Sequence, residues 1–143
     1  MAVTLRYESL VKCTPARVWE HFHDVSQWKR FNPAINDVKW TKGEPWTVGS
    51  QLSMELVQPR PMTVHSELAE LHVPRFLRLK GKMMGVSADH SFEFTDLGDG
   101  TTRMRTVQVL TGPATIFISK RIQDLATATF VQWFETLRRE IEC

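Results

Sequence analysis

The C-terminal stretch PATIFISKRIQDLATATFVQWFETLRREIEC, Pro113–Cys143, decides how the rest of the chain must be arranged. Gly112–Pro113 holds the last Gly and the last Pro of the sequence, so neither residue type interrupts the segment beyond them. Pro113 suits the first position of a helix, where its missing N–H is not needed. The spacing predicts one helix over 113–143, about 45 Å long at 1.5 Å per residue. Ile118, Ile122, Leu125, Thr129 and Trp133 recur at helical intervals, and the stripe drifts to Phe130, Phe134, Leu137 and Ile141. A helix this long and this apolar needs a surface to hold it. Ile118, Ile122, Leu125 and Trp133 are expected against that surface, so an ion placed at Ile122 or Leu125 should unfold the domain.

The residues before the helix supply the surface. Val3–Val11 alternates as a strand, and Thr14–Pro15 is a helix start, with Thr as cap and Pro at the first position. A short helix carrying Val18, Trp19 and Phe22 comes next, then short turns around Trp28 and Phe31, broken by Asp24, Ser26 and Asn32–Pro33. Strand patterns surround Val38 and Trp40 and continue through Gln51–Val57, Met62–His72, Phe76–Met83, Val86–Asp96 and Thr101–Thr111. Pro59 and Pro61, Met84–Gly85 and Gly98–Asp99–Gly100 mark turns between them. The class is therefore α+β, with about seven antiparallel strands and one long terminal helix.

Turn lengths set the register. A two-residue turn at Met84–Gly85 puts Leu79 opposite His90 and Leu77 opposite Phe92. The next turn puts His90 opposite Gln108 and Phe92 opposite Thr106. Alternation then gathers Leu77, Leu79, Val86, Ala88, Phe92, Phe94, Met104 and Leu110 on one face, with Arg78, Lys80, Glu93, Arg103 and Arg105 on the other. His90, Thr106 and Gln108 stand at one level on the apolar face.

Bulk properties remove several function classes. With 143 residues, 42% hydrophobic and 24% charged, the chain reads as a single domain over 1–143. A net charge of +2, with Lys and Arg scattered, offers no basic stripe for nucleic acid. No apolar run approaches the roughly 18 residues of a membrane span, and no charged segment followed by an apolar one opens the chain. Two cysteines, Cys13 and Cys143, are too few for a disulfide framework and point to a reducing, cytoplasmic setting. No H-x-x-x-H, C-x-x-C, G-x-S-x-G or Gly-rich phosphate loop occurs, so neither a metal nor a cofactor is expected.

Five short motifs in order resemble the START-like, helix-grip superfamily, in its polyketide cyclase/dehydrase-like branch. Cys13-Thr14-Pro15-Ala16-Arg17-Val18-Trp19 is similar to that family's A-x-P-x-x-V-W helix entry. Asp24, Trp28 and Pro33 match its D…W…P order, and Gly81, His90-Ser91-Phe92, Gly100-Thr101-Thr102 and Gly112 its G…H-x-F…G-T-T…G pattern. The resemblance implies a curved antiparallel sheet wrapped around the terminal helix, with an elongated cavity between them. Members bind lipids, sterols, polyketides or plant hormones, and some catalyse cyclisation or dehydration.

His90 is the foremost candidate for a role in such a cavity, as acid, base or polar contact, against a structural role bonded to Gln108 or the backbone. A ligand held by its imidazole is expected to bind with pH-dependent affinity between about pH 5 and 8. The expected ligand contacts are His90, Gln108, Thr106, Phe92, Trp28, Phe31 and Phe130. Trp46 and Phe94 are further aromatics divided between core and cavity. His65 and Glu67 share a strand face, but the more polar one, and His21 and His23 do not share a helix face. Three readings are open: a binder of a small hydrophobic molecule, an acid–base cyclase or dehydratase using His90, and a co-chaperone-like interaction module. The first needs only an apolar pocket with a few polar groups. The second also needs a carboxylate partner, and none falls on the same face as His90.

Overall fold

The computed structural model describes residues 2–58 and 60–142; the predicted turn residue Pro59 and the terminal Cys143 lie outside them. Strand β1 (Ala2–Val11) leads to helix α1 (Pro15–Phe22), a 3₁₀ turn at Val25–Gln27 and helix α2 (Trp28–Phe31). Strands β2 (Ile35–Lys42), β3 (Gln51–Leu56), β4 (Met62–His72), β5 (Phe76–Met83), β6 (Val86–Asp96) and β7 (Thr102–Thr111) come after them. A second 3₁₀ turn, Pro113–Phe117, precedes helix α3 (Lys120–Ile141). The strands form one antiparallel sheet in the order β1-β7-β6-β5-β4-β3-β2, and α3 lies across its inner face.

Local chemistry explains the boundaries. Thr14 caps α1, its hydroxyl accepting from the Arg17 N–H at 3.3 Å, with Pro15 at the first helical position. The Met84–Gly85 turn takes positive φ at both residues, 45° and 80°, the geometry that matches strand twist in a two-residue hairpin. The pairings it fixes are those read from the sequence: Leu79 with His90 and Leu77 with Phe92, then His90 with Gln108 and Phe92 with Thr106. His65 and Glu67 are exposed on β4, as the alternation requires.

The terminal helix departs from expectation in two ways. It starts seven residues later than Pro113, at Lys120. Ile118 leaves helical geometry at φ −87° and ψ 90°, and the Ser119 hydroxyl accepts from the Ile122 N–H at 3.3 Å as the cap. Residues 114–118, rich in β-branched side chains, are poor helix material, and Ser is a strong cap. Gly112 makes the preceding corner at φ +111°, where a Cβ would stand 2.7 Å from the Gly85 carbonyl oxygen. The second departure concerns which residues are gripped. Thr129, Phe130, Trp133, Phe134, Leu137 and Ile141 are buried, whereas no residue of 120–128 is. Trp133 faces the sheet as expected, but Leu125 is 41% exposed and Ile118 and Ile122 are half-buried. An ion at Ile122 or Leu125 would therefore not enter a closed core, so the expected unfolding is not supported.

The core sits at the C-terminal end of α3. Trp133 stacks on Phe22 at 5.8 Å and contacts Trp28 at 5.1 Å and Phe92 at 5.2 Å. The Trp28 indole N–H donates to the Phe22 carbonyl at 2.7 Å, so burying that ring leaves no polar atom unmade. On β1, Ser9 Oγ donates to Glu135 at 3.0 Å, while Arg138 donates to the same carboxylate at 2.5 Å. The Arg138 guanidinium beside Glu135 holds that carboxyl below its ordinary range. Phe31 and Phe94, at 1% and 0% exposure, belong to this packed aromatic end.

Candidate functional site

A cavity of about 240 Å³ lies between the sheet and the N-terminal half of α3. Leu5, Leu79, Val86, Phe92 and Leu110 come to it from the sheet, and Ile118, Ile122, Ala126, Phe130 and Trp133 from the helix side. Met54, Met62, Met83 and Met84 line it as well, four of the six methionines in the chain. Their flexible thioether side chains make a wall that adapts to a guest's shape. No Asp, Glu, Lys or Arg contributes to the lining.

His90, Gln108, Phe92, Trp28 and Phe130 all line the cavity. Thr106 and Phe31, expected among the ligand contacts, do not. Thr106 is 1% exposed and stands behind His90, with 2.7 Å between its hydroxyl oxygen and His90 Nε2. Phe31, at the end of α2, is packed into the aromatic core instead. The methionine wall and Gln123 are not among the contacts expected from sequence. A signal for the wall is present in Met54 and Met62, which alternate onto the apolar faces of their strands.

The imidazole is held between two rings, stacked on Phe92 at 4.4 Å and tilted against Phe130 at 5.1 Å. Its remaining accessible surface belongs to the cavity wall. Burial away from bulk water disfavours the charged form and lowers its pKa to about 3. That shift favours the neutral ring near neutral pH.

Hydrogen-bond accounting assigns the tautomer. Thr106 owns one hydroxyl proton and donates it to the Ser91 carbonyl at 3.1 Å. Its bond to His90 is then one it accepts, so Nε2 carries the imidazole proton. Nδ1 has no partner among the described residues and is not sealed from the cavity, leaving a bare acceptor. Asn32 accepts from the Ala34 N–H at 2.9 Å, Gln123 donates to the Ile118 carbonyl at 3.3 Å, and Thr129 to that of Ala126 at 2.6 Å. Among the described residues, no group of three or more His, Cys, Asp or Glu side chains is placed to hold a metal ion.

The family model for polyketide cyclase / dehydrase and lipid transport proteins matches residues 2–138. The chain belongs to that family. Solved structures carry the same helix-grip fold at low sequence identity. An aromatase/cyclase, ZhuI, from Streptomyces sp. R1128 superposes with a TM-score of 0.76 at 13% identity, over 99% of this chain and 94% of that one. A START superfamily protein from Mycobacterium smegmatis gives 0.76 at 11% identity, over 96% of both chains. Norcoclaurine synthase from Thalictrum flavum gives 0.73 at 10% identity, over 99% of this chain and 94% of that one. No curated protein matches the chain significantly in sequence. Among the described residues, no helix is long and apolar enough to cross a membrane. The family's helix-grip architecture is one that holds hydrophobic ligands, and this member has an apolar cavity between its sheet and α3.

Proposed function

We propose that residues 1–143 act as one START-like domain that binds a small apolar molecule in the cavity between the sheet and α3, in the cytoplasm. The observation that carries this reading is the wall itself: built from aliphatic, aromatic and methionine side chains, and without a single formal charge. Apolar guests in such a site gain roughly 25 cal/mol for each Å² removed from water. Phe92, Trp28 and Phe130 supply contact area, and His90 and Gln108 supply orientation.

Acid–base catalysis has weaker support. A general base works best with a pKa near the working pH, and the buried imidazole of His90 sits at about 3. No carboxylate lines the cavity to serve as its partner.

Native mass spectrometry of protein purified without denaturation tests the binding reading. A defined small molecule, released on unfolding, is the expected result. A protein that purifies empty and also fails to brighten an apolar naphthalene dye would overturn it.

A further inference from the structure

Two polar groups of the cavity with unmade hydrogen bonds stand side by side, while Gln58 lines it from the segment between β3 and β4. His90 and Gln108 are direct partners across β6 and β7, with side chains on the same face. With the imidazole proton assigned to Nε2, where it is donated to the Thr106 hydroxyl, Nδ1 of His90 is an acceptor. The Gln108 amide makes no bond among the described residues, lines the cavity, and offers both donors and an acceptor. One more unpaired atom, the Trp133 indole nitrogen, is sealed away, with Phe22, Trp28 and Phe92 around its ring.

We infer that the cavity selects an uncharged alcohol or phenol carried on an apolar skeleton, its hydroxyl donating to His90 Nδ1 and accepting from the Gln108 amide. This rests on the binding reading above and narrows it to one ligand chemistry. A hydroxyl is the smallest group that satisfies both neighbours at once. An ether or ketone has no proton for Nδ1. A carboxylate would enter a wall that holds no cation, and an ammonium one that holds no anion, so either ion would be desolvated without a partner. The aromatic clamp of Phe92 and Phe130 fixes the ring that presents Nδ1, so the acceptor is positioned before the guest arrives.

Calorimetric titration near neutral pH with 2-naphthol, 2-methoxynaphthalene and 2-naphthoate is the test. These share one skeleton and differ in the group under selection. 2-Naphthol should bind about tenfold more tightly than 2-methoxynaphthalene, the value of one buried hydrogen bond, and 2-naphthoate more weakly than either. His90→Phe should bring the naphthol-to-ether ratio towards one, whereas Gln108→Leu, which removes a donor that both oxygens can use, should weaken both uncharged probes and keep naphthol ahead. Equal binding of the two uncharged probes, or preference for the carboxylate, overturns the inference and leaves the binding reading standing. Failure of all three to bind sinks both. A long-range proton–nitrogen NMR spectrum of the unaltered protein needs no variant. It should show His90 protonated at Nε2, with the Nδ1 resonance moving on addition of 2-naphthol and staying still with the ether. A ring protonated at Nδ1 would overturn the inference.

Discussion

The two halves of α3 come from one unbroken apolar stripe yet meet different surroundings. From Thr129 to Ile141 the helix buries six side chains, most of them against rings from α1, α2 and β6. From Lys120 to Ala128 it buries none, and its apolar side chains border a cavity instead. Sequence hydrophobicity is alike in both halves, so it records which residues face the sheet and not whether anything fills the gap. The difference lies in what the sheet and the two short helices place opposite each half. Opposite the C-terminal half, Phe22, Trp28, Phe92 and Phe94 fill the space; opposite the N-terminal half stand Ala88 and four methionines, with Val86 and Leu110. Stability is concentrated at one end of the helix and capacity for a guest at the other.

The largest effect should come from emptying the packed end. Phe134 is fully buried and contacts Tyr7 at 5.9 Å and Phe92 at 6.4 Å. Phe134→Ala should cost about 3–5 kcal/mol, read by urea denaturation. Ile122→Ala, on the open half, should cost under about 1 kcal/mol, because it enlarges a space that already exists. Comparable losses from the two variants would break the contrast.

His90 marks the boundary and gives the next largest effect. In the unfolded chain its imidazole takes up a proton through about pH 6.5, whereas in the fold the pKa lies near 3 because the ring is desolvated. The unfolded state therefore binds more protons below about pH 6.5. Stability is lost as pH falls, at up to about 1.4 kcal/mol per pH unit for this group. No titratable side chain shares the wall with it. Between about pH 7 and pH 5 the unaltered protein should lose close to about 2 kcal/mol more than His90→Phe. Equal losses would show an imidazole that is hydrated within the cavity.

The strand register was legible in the sequence because short turns leave little freedom. The two-residue turn at Met84–Gly85 and the turn after β6 fixed four cross-strand pairs, and those placed His90 beside Gln108. The start of α3 was not legible from Gly and Pro alone. Ser119 ends the 3₁₀ segment by capping the next helix, a signal carried by a residue type that breaks nothing by itself. Nor could the aromatic residues be sorted. Phe31 and Phe130 are equally apolar, but one packs in the core and the other clamps His90, a distinction made by where α2 and α3 cross the sheet. Thr106 was placed on the correct face. Its part, setting the imidazole tautomer from behind, depends on the direction of a single hydroxyl proton.

A smaller effect is expected where the open half begins. The Ser119 hydroxyl satisfies one of the otherwise unpaired N–H groups at the start of α3. Ser119→Ala should cost about 1 kcal/mol, and it should loosen the first turn, which carries Ile122 and Gln123 on the cavity wall. Hydrogen exchange should quicken at residues 120–124 and stay unchanged beyond Phe130, since the packed end is held by side chains and not by the cap. Faster exchange along the whole helix would mean that the two halves open together.

The smallest effect separates lining from packing most directly. Leu125 borders the cavity yet is 41% exposed, so a side chain there has a path to solvent. Lysine at this position can lay its methylenes along the apolar wall while its ammonium reaches water. Leu125→Lys should therefore fold and change stability by no more than about 0.5 kcal/mol, as surface substitutions do. The same charge at Leu137, which is fully buried among the rings, has no such path and should prevent folding. The two sites lie on one helix and take the same substitution, so propensity and net charge cancel between them. What remains is the space on the sheet side. Should Leu125→Lys melt many degrees below the unaltered protein, the N-terminal half of α3 would be gripped as firmly as the C-terminal half, with little freedom left for a guest.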